Sequence, residues 1–253
     1  MFEKIVLQEL IENHNFLDKY GVYQFGFRKF SSTTSALISL HDTVTSYLDM
    51  NDTVSVSITT IDLSKAFDKA PHYLILHALY DNNLPHGFIR WYADYLSNRC
   101  SIVNLRGICS NSFHSISGVP QGSVLSPGIF CILMSSINID KSIPIFYADD
   151  ISLIVRHINP QHISTDLHDM LNEAIFEVEK LSLNINQSKT RILLINKHLH
   201  YSISTNNIHF DADIDSLISR TISILGITFN NSLTWSDHIE NLVKKCHSHL
   251  YVL

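Results

Sequence analysis

The chain predicts an α+β fold organised around an antiparallel sheet, and three observations carry that reading. Stretches of helical periodicity alternate with stretches of strand character, without a regular βαβ repeat. The apolar runs Ile143-Pro144-Ile145-Phe146 and Ile151 to Val155 flank Tyr147-Ala148-Asp149-Asp150, a hairpin pattern whose turn carries two adjacent carboxylates. Val54, Val56 and Ile58 alternate with Ser and Thr in a strand that leads to a third acid, Asp62.

Phe2, Ile5, Val6 and Leu10 fall at helical spacing, so an amphipathic helix opens the chain. No apolar h-region follows it, which argues against a signal peptide. A loop runs from Gly21 to Phe30. Ser31-Ser32-Thr33 then caps a second helix, with Leu37, Leu40, Val44, Tyr47 and Leu48 along one stripe. If the next strand alternates unbroken, Asp62 shares a face with Val54, Val56 and Ile58. Either a bulge rotates it away or that face borders a cleft. Helices are expected over Tyr73–Tyr80, ended by Leu84-Pro85, and over His86–Leu96 with Phe88, Trp91 and Tyr95 inward. Short strands follow at Cys100–Leu105 and Phe113–Ser117. Gly and Pro punctuate 118–128 before an apolar helix near Ile129–Ile137. Beyond the hairpin come a helix at Ile163–Leu181 and strands at Arg191–Ile195 and Thr221–Phe229. The last segment, with Ile239, Leu242, Val243, Cys246 and Leu250, is amphipathic.

At 253 residues, 45% apolar and 17% charged, the chain can bury one large core or two lobes and reads as a soluble globular protein. No apolar stretch approaches the roughly 20 residues needed to cross a membrane. Cys100, Cys109, Cys131 and Cys246 show no CxxC pairing, so reduced thiols inside the cell are the default, with nucleus and cytoplasm not distinguished. Cys246-His247-Ser248-His249 has no second Cys/His cluster nearby to complete a zinc site. The balance of 18 Lys+Arg against 24 Asp+Glu, net −6, counts against nucleic-acid binding unless basic parts lie outside the chain.

The paired acids are the most informative feature. Carboxylates beside apolar strands are costly, and neighbours of like charge repel. A divalent cation would relieve both penalties. On its own the pair is better read as a solvated turn, Asp being a common turn residue; its company reverses that reading.

Six segments, in order, resemble the reverse transcriptases of non-LTR, jockey-like retrotransposons. Gln24-Phe25-Gly26-Phe27-Arg28 with Ser32-Thr33 is similar to the family's fingers motif, and Asp62-Leu63-Ser64-Lys65-Ala66-Phe67-Asp68 to its first palm motif. Gly118-Val119-Pro120-Gln121-Gly122-Ser123-Val124-Leu125-Ser126-Pro127 is the most specific, and Tyr147-Ala148-Asp149-Asp150 is the polymerase signature. Leu183-Asn184 with Lys189-Thr190, then Leu225-Gly226 through Leu233-Thr234-Trp235 and His238, resemble the two later motifs.

The resemblance implies a right-hand polymerase: fingers over most of 1–60 and 69–118, palm over most of 54–68 and 119–230, and the start of a thumb over 231–253. It implies RNA-templated addition of deoxynucleotides to a DNA primer, with two Mg²⁺ ions (Mn²⁺ as substitute) held by Asp62, Asp149, Asp150 and the carbonyl of Leu63. RNA template, DNA primer and dNTPs are the implied partners, and no membrane. Arg28 would meet the triphosphate, its planar fork suiting phosphate oxygens. Phe67 would exclude a ribose 2′-hydroxyl. Gln121 and Gly122 would lie against nucleotide or template, Lys189 would protonate pyrophosphate, and Leu225-Gly226 would grip the primer end. Asp68 is expected to cap the helix through Tyr73, Trp235 to pack on the helix that follows it, and His72 and His238 to be structural. Met134-Ser135-Ser136-Ile137 stands where the family has Asn-Asp-Leu, and the short connection to Tyr147 is expected to shift the hairpin strand. The family's upstream basic segment, endonuclease and most of its thumb have no counterpart in these residues, an expected source of the acidic charge. The alternative is a catalytically silent remnant that keeps the fold and RNA binding.

Overall fold

Two apolar cores, one on each face of a central sheet, account for most of the buried residues. The computed structural model describes residues 1–196 and 214–250. In chain order the elements are α1 (Phe2–His14), a 3-10 turn (Phe16–Tyr20), α2 (Thr33–Asp49), β1 (Ser55–Ile61), α3 (Ala66–Lys69), α4 (His72–Asp81) and α5 (His86–Leu96). Four two-residue strands follow: β2 (Cys100–Ser101), β3 (Asn104–Leu105), β4 (Ile108–Cys109) and β5 (Phe113–His114). Then come α6 (Ser126–Met134), β6 (Ile143–Tyr147), β7 (Asp150–His157), α7 (Ile163–Lys180), β8 (Arg191–Asn196), α8 (Ile214–Leu217) and β9 (Ile218–Ser219). The hairpin β10 (Thr221–Ile224) and β11 (Ile227–Asn230) leads into α9 (Ser236–Leu250).

The main sheet has the order β6-β7-β1-β8-β9, antiparallel except for the short β8–β9 pair. Its larger core joins Ile61, Leu153, Val155 and Ile192 to α4, α5, α6 and α7. The other face carries Val56, Ile58, Ile154, Leu193 and Ile195 against Ala36, Leu40 and Val44 of α2 and against the β10–β11 hairpin. The expected stripe of α2 is therefore real, and its start is a capping box in which Ser32 and Ser35 each accept the other's backbone N–H.

Several boundaries differ from the sequence reading. Helix α6 begins at Ser126 rather than near Ile129, because Pro127 belongs in its first turn, where no N–H is needed. The buried stripe of α5 is Phe88, Tyr92 and Leu96, while Trp91 and Tyr95 are only half-buried. Residues 100–114 form an exposed hairpin of two-residue pairs, not two full strands. The Thr221–Phe229 segment is the β10–β11 hairpin, with the turn at Leu225-Gly226 that the resemblance implied. Within the hairpin, β6 pairs residue for residue with β7 from Ile143 to Tyr147. The link before it is folded by tight turns and tied to α7, where Glu173 and Glu177 accept the N–H groups of Asp140 and Asn138 and Lys141 pairs with Asp169. The apolar residues of α9, Ile239, Leu242 and Val243, are exposed. The side chains of His249 and Leu250 and residues Tyr251–Leu253 lie outside the described residues.

Ser55, Ser57 and Thr59 of β1 are fully buried beneath the larger core. Buried hydroxyls need partners, and Ser57 finds one in His157, itself buried. The His157 Nε2 lies 2.9 Å from Ser57 Oγ, and its Nδ1 lies 3.1 Å from Asp166 Oδ2 on α7. Asp166 accepts, so Nδ1 carries the proton and Nε2 receives the Ser57 hydroxyl. Burial pushes the His157 pKa down, and the Asp166 hydrogen bond and charge offset this only in part. The unfolded chain therefore holds more protons than the folded one below the ordinary histidine value of 6.5. Stability is expected to fall as pH drops through that region, and His157→Gln should flatten the slope in urea unfolding measured between pH 5 and 8.

Candidate active site

Strands β1 and β7 pair one to one from Ser55↔His157 to Ile61↔Ile151, with no bulge. Side chains alternate across a strand, so the next step on each side places Asp62 and Asp150 on the face shared with Thr60 and Ser152. That face is the one carrying Val56 and Ile58, and at its end it opens into a cleft of about 210 Å³. Thr60, Asp62, Asp150, Ser152, Lys189 and Leu225 are among the residues lining it. The alternatives left by the strand pattern are thus resolved: Asp62 is not rotated away, and the apolar face ends at a polar cleft.

Asp150 keeps solvent access, yet burial raises its carboxyl above the usual range, and the charges of Asp149 and Asp62 raise it further. Lys189 works in the other direction. Its Nζ lies 3.3 Å from one Asp62 carboxylate oxygen and 3.4 Å from the other. Leu63 is pinned just beyond β1 by a bridge to Ile185, with the Asn186 N–H bonded to the Asp62 carbonyl and the Ser64 N–H to Asn184. Asp149 sits in the turn itself, half-exposed, and is not among the cleft-lining residues. Among the described residues no three Asp, Glu, His or Cys side chains are gathered closely enough to hold a metal ion. What the site offers is a set of hard oxygen donors around a cleft, chemistry that suits Mg²⁺.

The turn between β6 and β7 has two residues, Ala148 and Asp149, and Ala148 has φ +58°. Positive φ at the first central residue alone is the type II′ pattern, which usually takes Gly. An alanine held there costs about 1–3 kcal/mol and persists only where its surroundings enforce it. At the other side of the cleft, Leu225 and Gly226 form the tip of the β10–β11 hairpin, both with positive φ, and Leu225 reaches the cleft wall.

Phe67, Gln121 and Gly122 form a second group. Phe67 stacks on buried Phe130 of α6, centroids 4.0 Å apart, and meets Phe27 edge-on at 6.5 Å. Gln121 Nε2 donates to Asp68 Oδ1 at 2.7 Å, the Val119 N–H bonds the Phe67 carbonyl and the Gly118 N–H bonds that of Ala70. Asp68 therefore anchors Gln121 and does not cap α4, which begins at His72 after Pro71. Gly122 has φ +84° and open space where a Cβ would stand, so backbone conformation and not crowding within the chain calls for glycine there. The Arg28 guanidinium donates to the Gly21 carbonyl at 3.2 Å. His72 bonds the Gly118 carbonyl and His238 accepts the Thr228 N–H, structural positions as expected. Trp235 packs on His41 of α2 and Phe229 of β11, and its carbonyl accepts the Ile239 N–H of α9.

Two residues have contacts that the sequence reading did not assign, Gln24 having been named only as part of the fingers motif. Glu3 on α1 accepts from Tyr95 of α5 and, at 2.8 Å each, from the Ser123 hydroxyl and the Val124 N–H. Burial raises its pKa, but those bonds and the charge of Arg99 outweigh it and hold the carboxyl below its usual value. Gln24 is 2% exposed and bonds the Ala148 peptide. Their partners lie from 92 to 124 positions away, so no local pattern announces those bonds.

The family described as reverse transcriptase (RNA-dependent DNA polymerase) matches residues 2–229. The chain belongs to that family. Among curated relatives, the probable RNA-directed DNA polymerase from transposon BS of Drosophila melanogaster is 24% identical over 244 residues, covering 91% of this chain and 26% of the relative. The RNA-directed DNA polymerase from mobile element jockey of the same fly is also 24% identical, covering 96% and 27%. The chain thus spans about a quarter of the length of the curated relatives it matches. Of solved structures, apo telomerase from Candida tropicalis aligns with a TM-score of 0.59 at 16% identity, over 92% of this chain and 39% of that one. The same telomerase with a TWJ fragment of telomeric RNA aligns at 0.58 and 15%, over 92% and 36%. The palm-like reverse transcriptase fold is therefore present, as the motifs implied. Among the described residues no helix is long and apolar enough to cross a membrane.

A folded-state carboxyl raised above its unfolded value destabilises the protein once pH exceeds the ordinary Asp value of 3.8. Asp150→Asn, which removes the charge repelled by Asp149 and Asp62, is expected to raise the thermal midpoint at pH 7 without added divalent cation. The gain should shrink as pH falls toward 4, where Asp150 protonates in the parent; differential scanning fluorimetry across pH checks it.

Proposed function

We propose that this chain is the catalytic core of an RNA-directed DNA polymerase of a mobile element, extending a DNA primer on an RNA template with dNTPs. The observation that carries the reading is the β1–β7 register, which brings Asp62 and Asp150 to one cleft in a chain of the reverse transcriptase family. We assign fingers to most of 1–60 and 69–118, palm to most of 54–68 and 119–230, and the start of a thumb to 231–253.

Two Mg²⁺ ions held by Asp62, Asp149, Asp150 and the Leu63 carbonyl would supply the charge stabilisation that phosphoryl transfer requires. The chain's own groups do the rest. Lys189, which pairs with Asp62, hands a proton to a departing pyrophosphate in this reading once the carboxylate turns to other partners. Phe67, backed by Phe130, offers a rigid ring beneath a sugar, where an added hydroxyl would collide. Gln121 and Gly122, anchored through Asp68, set one wall for nucleotide or template, and the Leu225-Gly226 tip sets the wall for the primer end. Arg28 leaves the Gly21 carbonyl to meet the triphosphate, a charge-assisted bond replacing a neutral one.

Extension of a DNA primer on an RNA template tests the proposal directly. The parent chain should incorporate dNTPs with Mg²⁺, and Asp149→Ala with Asp150→Ala, or Asp62→Ala alone, should lower the rate by on the order of 10³-fold or more, the worth of several kcal/mol of charge stabilisation. Primer–template binding with no incorporation under Mg²⁺ or Mn²⁺ would favour the silent-remnant alternative. Phe67→Val is expected to raise ribonucleotide incorporation relative to deoxynucleotide, measured by single-nucleotide addition.

A further inference from the structure

The turn that carries Asp149 and Asp150 is held from outside its own hairpin. Residues 23–26 run beside β6 as a short parallel extension, with the Phe25 N–H bonded to the Phe146 carbonyl and the Phe146 N–H to the Tyr23 carbonyl. From this extension the Gln24 side chain reaches across to the turn. Its Oε1 accepts the Ala148 N–H at 3.0 Å and the Gly26 N–H at 2.8 Å, while its Nε2 donates to the Ala148 carbonyl at 3.4 Å. One amide thus engages both polar groups of the residue whose backbone has the unfavourable positive φ.

The neighbours leave this amide no freedom. A Cβ on Gly26 would stand 2.4 Å from the Ala148 nitrogen and 3.1 Å from the Tyr147 carbonyl carbon, so only glycine lets the two backbones meet. The buried Cys131 thiol, its pKa pushed up to about 12 by burial, donates to the Gly26 carbonyl from below. Ala148 is buried, and without Gln24 its N–H would lose its partner where water does not replace it.

We propose that Gln24 is a positioning residue: by clamping the Ala148 peptide it sets the direction in which Asp149 and Asp150 present their oxygens. The inference rests on the polymerase reading of that turn, but its physical content is the geometry of two carboxylates and can be measured without turnover. Partners that orient ligating carboxylates typically cost about 10–100-fold in metal affinity or activity when removed, and a displacement of 1 Å at a reacting centre can cost about 10²-fold.

Gln24→Met keeps length and bulk and removes all three bonds; Gln24→Asn keeps the amide but is one methylene too short to span Ala148 and Gly26 together. In Gln24→Met the Ala148 amide proton should exchange with solvent at least about tenfold faster, while Leu153 and Ile154 in β7 exchange as in the parent. Mn²⁺ binding, followed by paramagnetic titration, should weaken roughly 10–100-fold. Nucleotide addition should lose kcat by a similar factor with KM for dNTP unchanged, a split that general loosening of the fold would not produce. A folded Gln24→Met with parental Ala148 exchange and Mn²⁺ affinity overturns the inference; if that variant does not fold, the same measurements on Gln24→Asn decide it. A parent chain that binds Mn²⁺ yet adds no nucleotide rejects the polymerase reading, and the exchange and titration results still judge Gln24.

Discussion

The pairing of β1 with β7 brings acids 88 positions apart in the chain to adjacent strand ends on one face. Strand pairing is set by hydrophobic alternation, and a slip of one residue would send every side chain of β1 to the opposite face. Val56 and Ile58 are buried in one core and Ile61 in the other, so a slip would exchange them with Ser55, Ser57 and Thr59, disrupt the packing on both faces and break the Ser57–His157 bond. The geometry of the acids is therefore enforced by apolar packing well away from them. This is why a costly gathering of like charges persists in a folded chain: the sheet has many residues at stake and the cleft only a few.

The strain created at that strand end is met by contacts from distant parts of the chain. Lys189, entering just before β8, pairs with Asp62. The Ala148–Asp149 turn departs from what an alanine favours, and Gln24 takes up its peptide from the segment before α2. Phe27, three residues after Gln24, touches Phe67, whose ring rests on Phe130. A single short stretch, 24–27, thereby contacts both the carboxylate turn and the aromatic group. Glu3 performs a comparable service for the loop after Gly122, tying it to α1 and α5. Of these groups Gln24 is fully buried, so leaving its amide unpaired would be penalised and its contact specifies one arrangement over its alternatives.

Much of this was open to sequence reading because it depends on local rules. The α2 capping box follows from Ser32 and Ser35 three residues apart, the β6–β7 hairpin from apolar runs on either side of a two-residue turn, and the α7 stripe from helical spacing. Where local rules competed, the reading slipped. Trp91 and Tyr95 look as apolar as Tyr92 and Leu96, and only the direction in which α5 packs tells which pair is covered. Asp68 has the makings of a helix cap, but Gln121 reaches it first. The turn at Leu225-Gly226 was open to the motif resemblance, and the structure makes it the tip of the β10–β11 hairpin at the cleft.

The sequence by itself determined the elements, the antiparallel character of the sheet, the motifs and the identity of the acids, since periodicity, capping and turn chemistry act over a few residues. Only the tertiary structure decided that Asp62 opens onto a cleft, that Lys189 answers its charge, that Asp68 is Gln121's anchor and that Gln24 holds the carboxylate turn. Those relations join residues from about 50 to more than 120 positions apart. Such pairs meet only after the apolar cores have set the register, and no local pattern in the chain records which buried polar group will find which.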